Sequence, residues 1–207
     1  MKTSSVGRLA CLVTVFGVVQ FLLLTFLAAF FYPGGYDYFG YYFSDLGAVI
    51  ARNGEPNPIS AILFSVALTI VAIALIPFWL ILRSIFEESR LGILSTLGSM
   101  LGLTSSPFII GVALFPIDTQ LDTHILATLI FFSLFVLSTI FYSIAIILNK
   151  NHSNYFGLVG IVLFVVSLAI FVDPLAPHVA FLQTIVTYGY FSWVLLQAFL
   201  VWRWKKL

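Results

Sequence analysis

Two histidines and a few carboxylates are the residues of this sequence best suited to chemistry. His124 closes the segment FPIDTQLDTH (115–124) behind Asp118. His178 closes FVDPLAPH (171–178) behind Asp173, and Asp45 stands in FSDLG (43–47). Two imidazole nitrogens and a carboxylate oxygen, from His124, His178 and one of Asp45, Asp118 or Asp173, would hold zinc with one position open for water. Neither HxxxH nor HExxH occurs, so the ligands would have to come from separate links, and we expect no metal. Ser44 next to Asp45 raises a Ser–His–Asp hydrolase, but Ser44 lies in no GxSxG elbow. Arg52 suggests a third chemistry: with nearby helix N-termini it could hold one phosphate or carboxylate head group.

Each of these residues also has a plainer explanation. Asn57-Pro58 reads as an N-cap followed by proline in the first helical position, and Asp173-Pro174 could repeat the device. Asp118 and Asp122 precede an apolar run, where carboxylates complement free N–H groups at a helix start. Capping accounts for Asn57, Asp118 and Asp122 better than for Ser44-Asp45, Arg52, His124 and His178. The eight positions Ser44, Asp45, Arg52, Asn57, Asp118, His124, Asp173 and His178 form one candidate functional face.

The elements that must position them are set by composition. Of 207 residues 61% are hydrophobic and 8% charged, and the mean hydropathy is +1.13. A soluble domain needs far more charge to cover its surface. The apolar runs are bilayer-length, about 20 residues, and continuous, which rules out the alternation of a membrane β-barrel. We read one all-α domain, a bundle of six spans at about 9–31, 59–82, 92–115, 124–148, 157–172 and 179–202. The first run follows Lys2 and Arg8 but exceeds the core of a cleaved leader, so it is expected to stay as a span.

Six spans put both termini and the links 83–91 and 149–156 on one side, with eight of the nine Lys and Arg residues; only Arg52 falls opposite. Short basic links stay cytoplasmic, which predicts internal termini and a basic tail, VWRWKKL, at the inner interface. The other side receives six of the eight acidic residues and a long first link, YYFSDLGAVIARNGEPNPIS (41–60). The sequon Asn151-His152-Ser153 would be cytoplasmic and unglycosylated, and the single Cys11 allows no internal disulfide.

Within the spans the polar groups are mild: Gln20, Ser95, Ser99, Thr104, Ser105, Ser106, Gln183, Thr184 and Gln197. No ionisable residue stands at mid-membrane, which counts against a proton pump, voltage sensor or ion-coupled carrier. Gly98 and Gly102 form a GxxxG pair suited to close packing, inside the bundle rather than between copies. Ser105-Ser106-Pro107 predicts a kink whose freed carbonyls the hydroxyls help satisfy.

The six spans, FSDLG after the first, Asn57 before the second, FP…His124 leading into the fourth and Gln183…Trp193 in the last resemble a known group. It is the prokaryotic domain-of-unknown-function family 998, and more distantly the Frag/DRAM/Sfk membrane proteins. The resemblance implies a multi-pass membrane protein with Ser44, Asp45, Gly47, Asn57 and His124 at matching positions, and it implies no reaction. The eukaryotic relatives are linked to lipid-anchor remodelling, membrane-lipid organisation and autophagy.

The expectation is a non-catalytic protein of the cell membrane that binds lipids or a partner, the latter as an accessory subunit of a larger membrane complex. The alternative is a membrane-embedded lipid-modifying enzyme using the Asp45/His124/His178 face. No cofactor is expected; membrane lipids and other integral membrane subunits are the expected partners, nucleic acid is not. Ser44-Asp45 should fold back on the bundle under the pull of Tyr41, Tyr42, Phe43, Leu46, Val49 and Ile50, with Asp45 paired to Arg52 or His124.

Overall fold

A computed structural model describes residues 5–86, 91–149, 154–172 and 178–203. Asp173, the sequon at 151–153 and the basic residues 205 and 206 of the tail lie outside the described residues. Six α-helices occupy most of the rest: α1 (Ser5–Phe30), α2 (Pro58–Ser84), α3 (Gly92–Leu114), α4 (Leu121–Leu148), α5 (Asn154–Val172) and α6 (Val179–Arg203). Their bounds fall within four residues of the apolar runs, because a run this uniform leaves helix as the only structure that satisfies its own backbone in hydrocarbon.

Five helices, α1 to α4 and α6, are long and apolar enough to cross a membrane. The sixth, α5, is shorter and equally apolar. Large apolar side chains point outward around the bundle, among them Phe16, Phe26, Leu80, Met100 and Val162. Such a surface belongs in lipid.

Each helix packs on its neighbours in chain order, α6 closes the ring on α1, and α2 also reaches α6. Small residues allow the closest approaches. A methyl group at Gly17 would lie 2.1 Å from Ala74 Cβ, and one at Gly157 would lie 2.7 Å from the Ser143 carbonyl oxygen. The GxxxG stripe works inside the bundle, though as a seat for rings rather than as a backbone contact. A methyl at Gly98 would sit 2.8 Å from the Tyr142 ring, and one at Gly102 would sit 2.3 Å from the Trp79 ring. Trp79 and Tyr142 are fully buried, stacked on each other at 6.0 Å, and packed with Phe78, Phe135 and Phe86.

Helix α3 continues through Pro107, and Ser105 and Ser106 both donate to the Gly102 carbonyl, at 2.7 and 3.2 Å. The carbonyl four residues before the proline, that of Leu103, is therefore not the one they serve. Pro77 inside α2 is a second intrahelical proline.

Candidate functional site

The link between α1 and α2 is a folded cap at one end of the bundle. Its first turn is made at Pro33-Gly34-Gly35, where both glycines hold positive φ (76° and 87°) and Gly35 N–H donates to the Tyr32 carbonyl. Its second is the Asn53-Gly54 turn: Gly54 has φ 87°, its N–H reaches Ala51 O, and Asn53 Oδ1 accepts from Glu55 N–H. Around that turn the chain pairs with itself. Ala51 N–H donates to Glu55 O and Asn57 N–H to Val49 O, so 49–57 closes as a small hairpin.

Between the turns, FSDLG forms a single 3-10 helix, Phe43–Gly47, buried throughout. Phe43 supplies the anchor, meeting the rings of Phe21, Phe64 and Tyr188 at 5.5–6.1 Å. Gly47 lies flat on Phe64, where a methyl group would come within 2.4 Å of the ring. This segment rests on α1, α2 and α6. Ser44-Asp45 thus folds back on the bundle, as burial of its aromatic and aliphatic neighbours requires.

Asp45 is 3% exposed. Its Oδ2 accepts from the Tyr42 backbone N–H at 2.8 Å and from Arg52 Nη2 at 3.0 Å. Of the two partners proposed for Asp45, Arg52 is the one that bonds it. The hydrogen-bonded carboxylate pushes the Arg52 guanidinium above its ordinary range. Arg52 also lies 5.9 Å from the centre of the Tyr41 ring, and its N–H donates to the Tyr32 hydroxyl. Burial pushes the neighbouring Tyr36 phenol upward; its hydroxyl donates to the Tyr42 carbonyl at 2.9 Å and also engages Thr184. His124 is buried to 3% exposure and turns its Nδ1 to the Phe115 carbonyl, at 2.6 Å. It lies near enough to Asp45 to interact with it electrostatically, without a bond between them.

Two of the capping assignments change. Asn57 occupies the N-cap position with Pro58 behind it, but its side chain makes no capping bond. Wholly buried, it donates through Nδ2 to the carbonyls of Leu46 (3.3 Å) and Ala48 (2.9 Å), while Oδ1 has no partner. Ser60 donates to the same Leu46 carbonyl at 2.8 Å. The carbonyls leaving the 3-10 helix have no ladder to join, so a buried donor was needed there more than a cap. Asp118 likewise does not cap α4, whose N-cap is Gln120. Its two oxygens take the N–H groups of Val49 (3.0 Å) and Ile50 (2.9 Å), clamping the link before α4 to the cap. Asp122 does lie in the first turn of α4.

The structure therefore gathers Ser44, Asp45, Arg52, Asn57 and Asp118 in one cap, with His124 beside it. His178 is exposed and offers its carbonyl to Leu182 N–H at the start of α6. Among the described residues no three His, Cys, Asp or Glu side chains are grouped to hold a metal.

Gln183 is a residue whose role in the cap the sequence reading missed. One turn into α6, its Oε1 accepts from the Phe43 N–H at 2.9 Å, fixing the cap to the last helix. An amide in an apolar helix was the available signal. Phe43, Ser44 and Gln183 also line a small, largely apolar cavity of about 30 Å³, together with Phe64, Ile109 and Phe131.

The ion pair is open to a direct test. Asp45→Asn keeps an acceptor for Tyr42 N–H and should cost about 1 kcal/mol of stability, whereas Asp45→Leu strands that N–H and should cost about 3 kcal/mol. Half the Arg52 side chain is exposed (48%), so its coupling to Asp45 should be about 1 kcal/mol. Thermal unfolding in detergent of Asp45→Asn alone and combined with Arg52→Gln or His124→Gln measures both couplings. A coupling to His124 as large as that to Arg52 would contradict the geometry.

A family model described as "Protein of unknown function (DUF998)" matches residues 15–201. No curated protein and no solved structure matches the chain.

Proposed function

This chain belongs to the DUF998 family, and from that premise we propose a non-catalytic, lipid-binding protein of the cell membrane. Its 207 residues form one domain, its termini are cytoplasmic, and its cap faces outward. The observation that carries the reading is where the polar groups of the candidate face spend their bonds. Asp45, Asn57, Asp118 and His124 all engage the chain itself: Asp45 the Tyr42 N–H and Arg52, Asp118 two N–H groups, Asn57 two carbonyls, His124 one. A general base or metal ligand needs an acceptor free to face a substrate; both oxygens of Asp118 and Oδ2 of Asp45 are already taken by donors that hold the cap. What the cap covers is an apolar cavity between helices, in a chain whose outer surface is itself lipid-facing. The proposed orientation follows from the basic residues, eight of nine of which lie away from the cap in sequence order.

The test is native mass spectrometry of the full chain released from detergent, beside cysteine labelling of intact cells on a Cys11→Ser background. A retained lipid adduct, with labelling at position 54 but not at 151, is the expected result. Bare protein, or labelling at 151 alone, would overturn the reading.

A further inference from the structure

Helices α1 and α6 run antiparallel in a register that three contacts fix. Thr25 Oγ1 lies 3.1 Å from the Tyr188 hydroxyl, the rings of Phe21 and Phe191 are 4.2 Å apart, and Cys11 Sγ donates to the Ala198 carbonyl at 3.5 Å. Each step back along α1 is thus matched by a step forward along α6. One turn before Cys11 stands Arg8; one turn after Ala198 stands Trp202, with Arg203 next to it. Both arginines are exposed, at the end of the bundle opposite the cap.

The flank each residue occupies follows from helical periodicity. Positions seven apart lie on nearly one line along a helix. Arg8, Val15 and Leu22 follow such a line beside Cys11, whereas Thr14, Gly17 and Gln20 meet α2. Tyr188, Leu195 and Trp202 follow the matching line on α6, and Tyr188 meets Thr25 and Phe21 of α1. Arg203 lies over the Phe199 ring, 5.4 Å from its centre, on the outer side of that line. Phe199 (54%), Trp202 (41%), Val15 (37%) and Val19 (41%) are exposed and line the groove from outside. Charge at this edge is one-sided. The chain up to Tyr36 and the chain after Asp173 hold Lys2, Arg8, Arg203, Lys205 and Lys206, and no aspartate or glutamate.

We propose that the outer groove between α1 and α6 binds a phospholipid of net negative charge, its phosphate between Arg8 and Arg203 and an acyl chain along Val15, Val19, Leu195 and Phe199. This rests on the lipid-binding reading above and gives that lipid a head group and a place. Guanidinium forks suit phosphate oxygens, and an indole such as that of Trp202 suits the head-group level of a bilayer. A zwitterionic head group would bring an ammonium to an edge where neither terminal segment supplies a carboxylate side chain to receive it. That selects the anionic class.

The probes are dioleoyl phosphatidylglycerol and dioleoyl phosphatidylcholine, equal in their chains and different in net charge. Each is added to the full chain in detergent, and the retained adduct is counted by native mass spectrometry. The wild type should prefer phosphatidylglycerol by roughly twentyfold, and Arg8→Gln or Arg203→Gln should each remove about fivefold of that. Both arginines are exposed, so the variants should fold, which thermal unfolding checks. The double variant Lys205→Gln with Lys206→Gln removes as much charge from the same end and should keep most of the preference. Equal retention of the two lipids by the wild type would overturn the proposal. So would a preference that survives losing both arginines, or one that the lysine variant loses as fully. If lipid still co-purifies in any of those cases, the broader lipid-binding reading stands; if neither probe is retained and no lipid co-purifies, both fall.

Discussion

Asn57→Asp is expected to destabilise this protein more than Asn57→Ala, although aspartate is among the best N-cap residues. If the side chain capped α2 through Oδ1, aspartate would serve as well as asparagine. The structure gives the work to Nδ2 instead, which holds the carbonyls of Leu46 and Ala48 in a site with no exposure. Alanine removes the donor and should cost about 2–3 kcal/mol, the penalty of stranding buried acceptors, softened because Ser60 still serves Leu46. Aspartate removes the donor and also sets a carboxylate against two carbonyl oxygens, for about 4 kcal/mol or more. Thermal unfolding in detergent gives the order, and hydrogen exchange over 43–50 shows whether the cap opens first. Aspartate ranking at or above alanine would return Asn57 to the role of a helix cap.

Gly102→Ala should produce the second large loss. The new methyl would come 2.3 Å from two atoms of the Trp79 ring, which is fully buried and packed between Tyr142 and Phe78. A ring held on several sides cannot retreat without moving its neighbours, so overpacking of about 1–3 kcal/mol follows. Trp79→Leu costs stability alone by leaving a void, but it makes room for the methyl, and the double variant should lose less than the two singles added together. Stability is read by thermal unfolding and oligomeric state by light scattering. An unchanged melting temperature with a lost oligomer would mean that the glycine stripe faces another copy.

The family match and the apolar helices establish an integral membrane protein of the DUF998 type. The cap carries residue types that are also found in active sites. Aspartates, histidines and a serine gathered near one membrane edge are the residues of hydrolases. Here Asp45, Asp118, the buried His124 and Asn57 each bond backbone groups of irregular links. That use has a physical necessity. A loop laid against an apolar bundle has no helix or sheet to pair its N–H and carbonyl groups, and side chains must do so. Asp118, reaching two consecutive N–H groups from a different link, is the clearest instance.

Sequence alone determined the helices, because in a chain this apolar the run length and the bilayer thickness leave little choice. It also determined the turn at Asn53-Gly54 and the helix start at Pro58, where local backbone preferences act within four residues, and it marked FSDLG as the stretch to watch. Only the tertiary structure decided the partners. Asp45 had two eligible cations on one face, and choosing Arg52 over His124 depended on where the hairpin 49–57 folds back. The orphan carbonyls that Asn57 serves do not exist until the 3-10 helix forms, so nothing in the dipeptide Asn57-Pro58 could distinguish donor from cap.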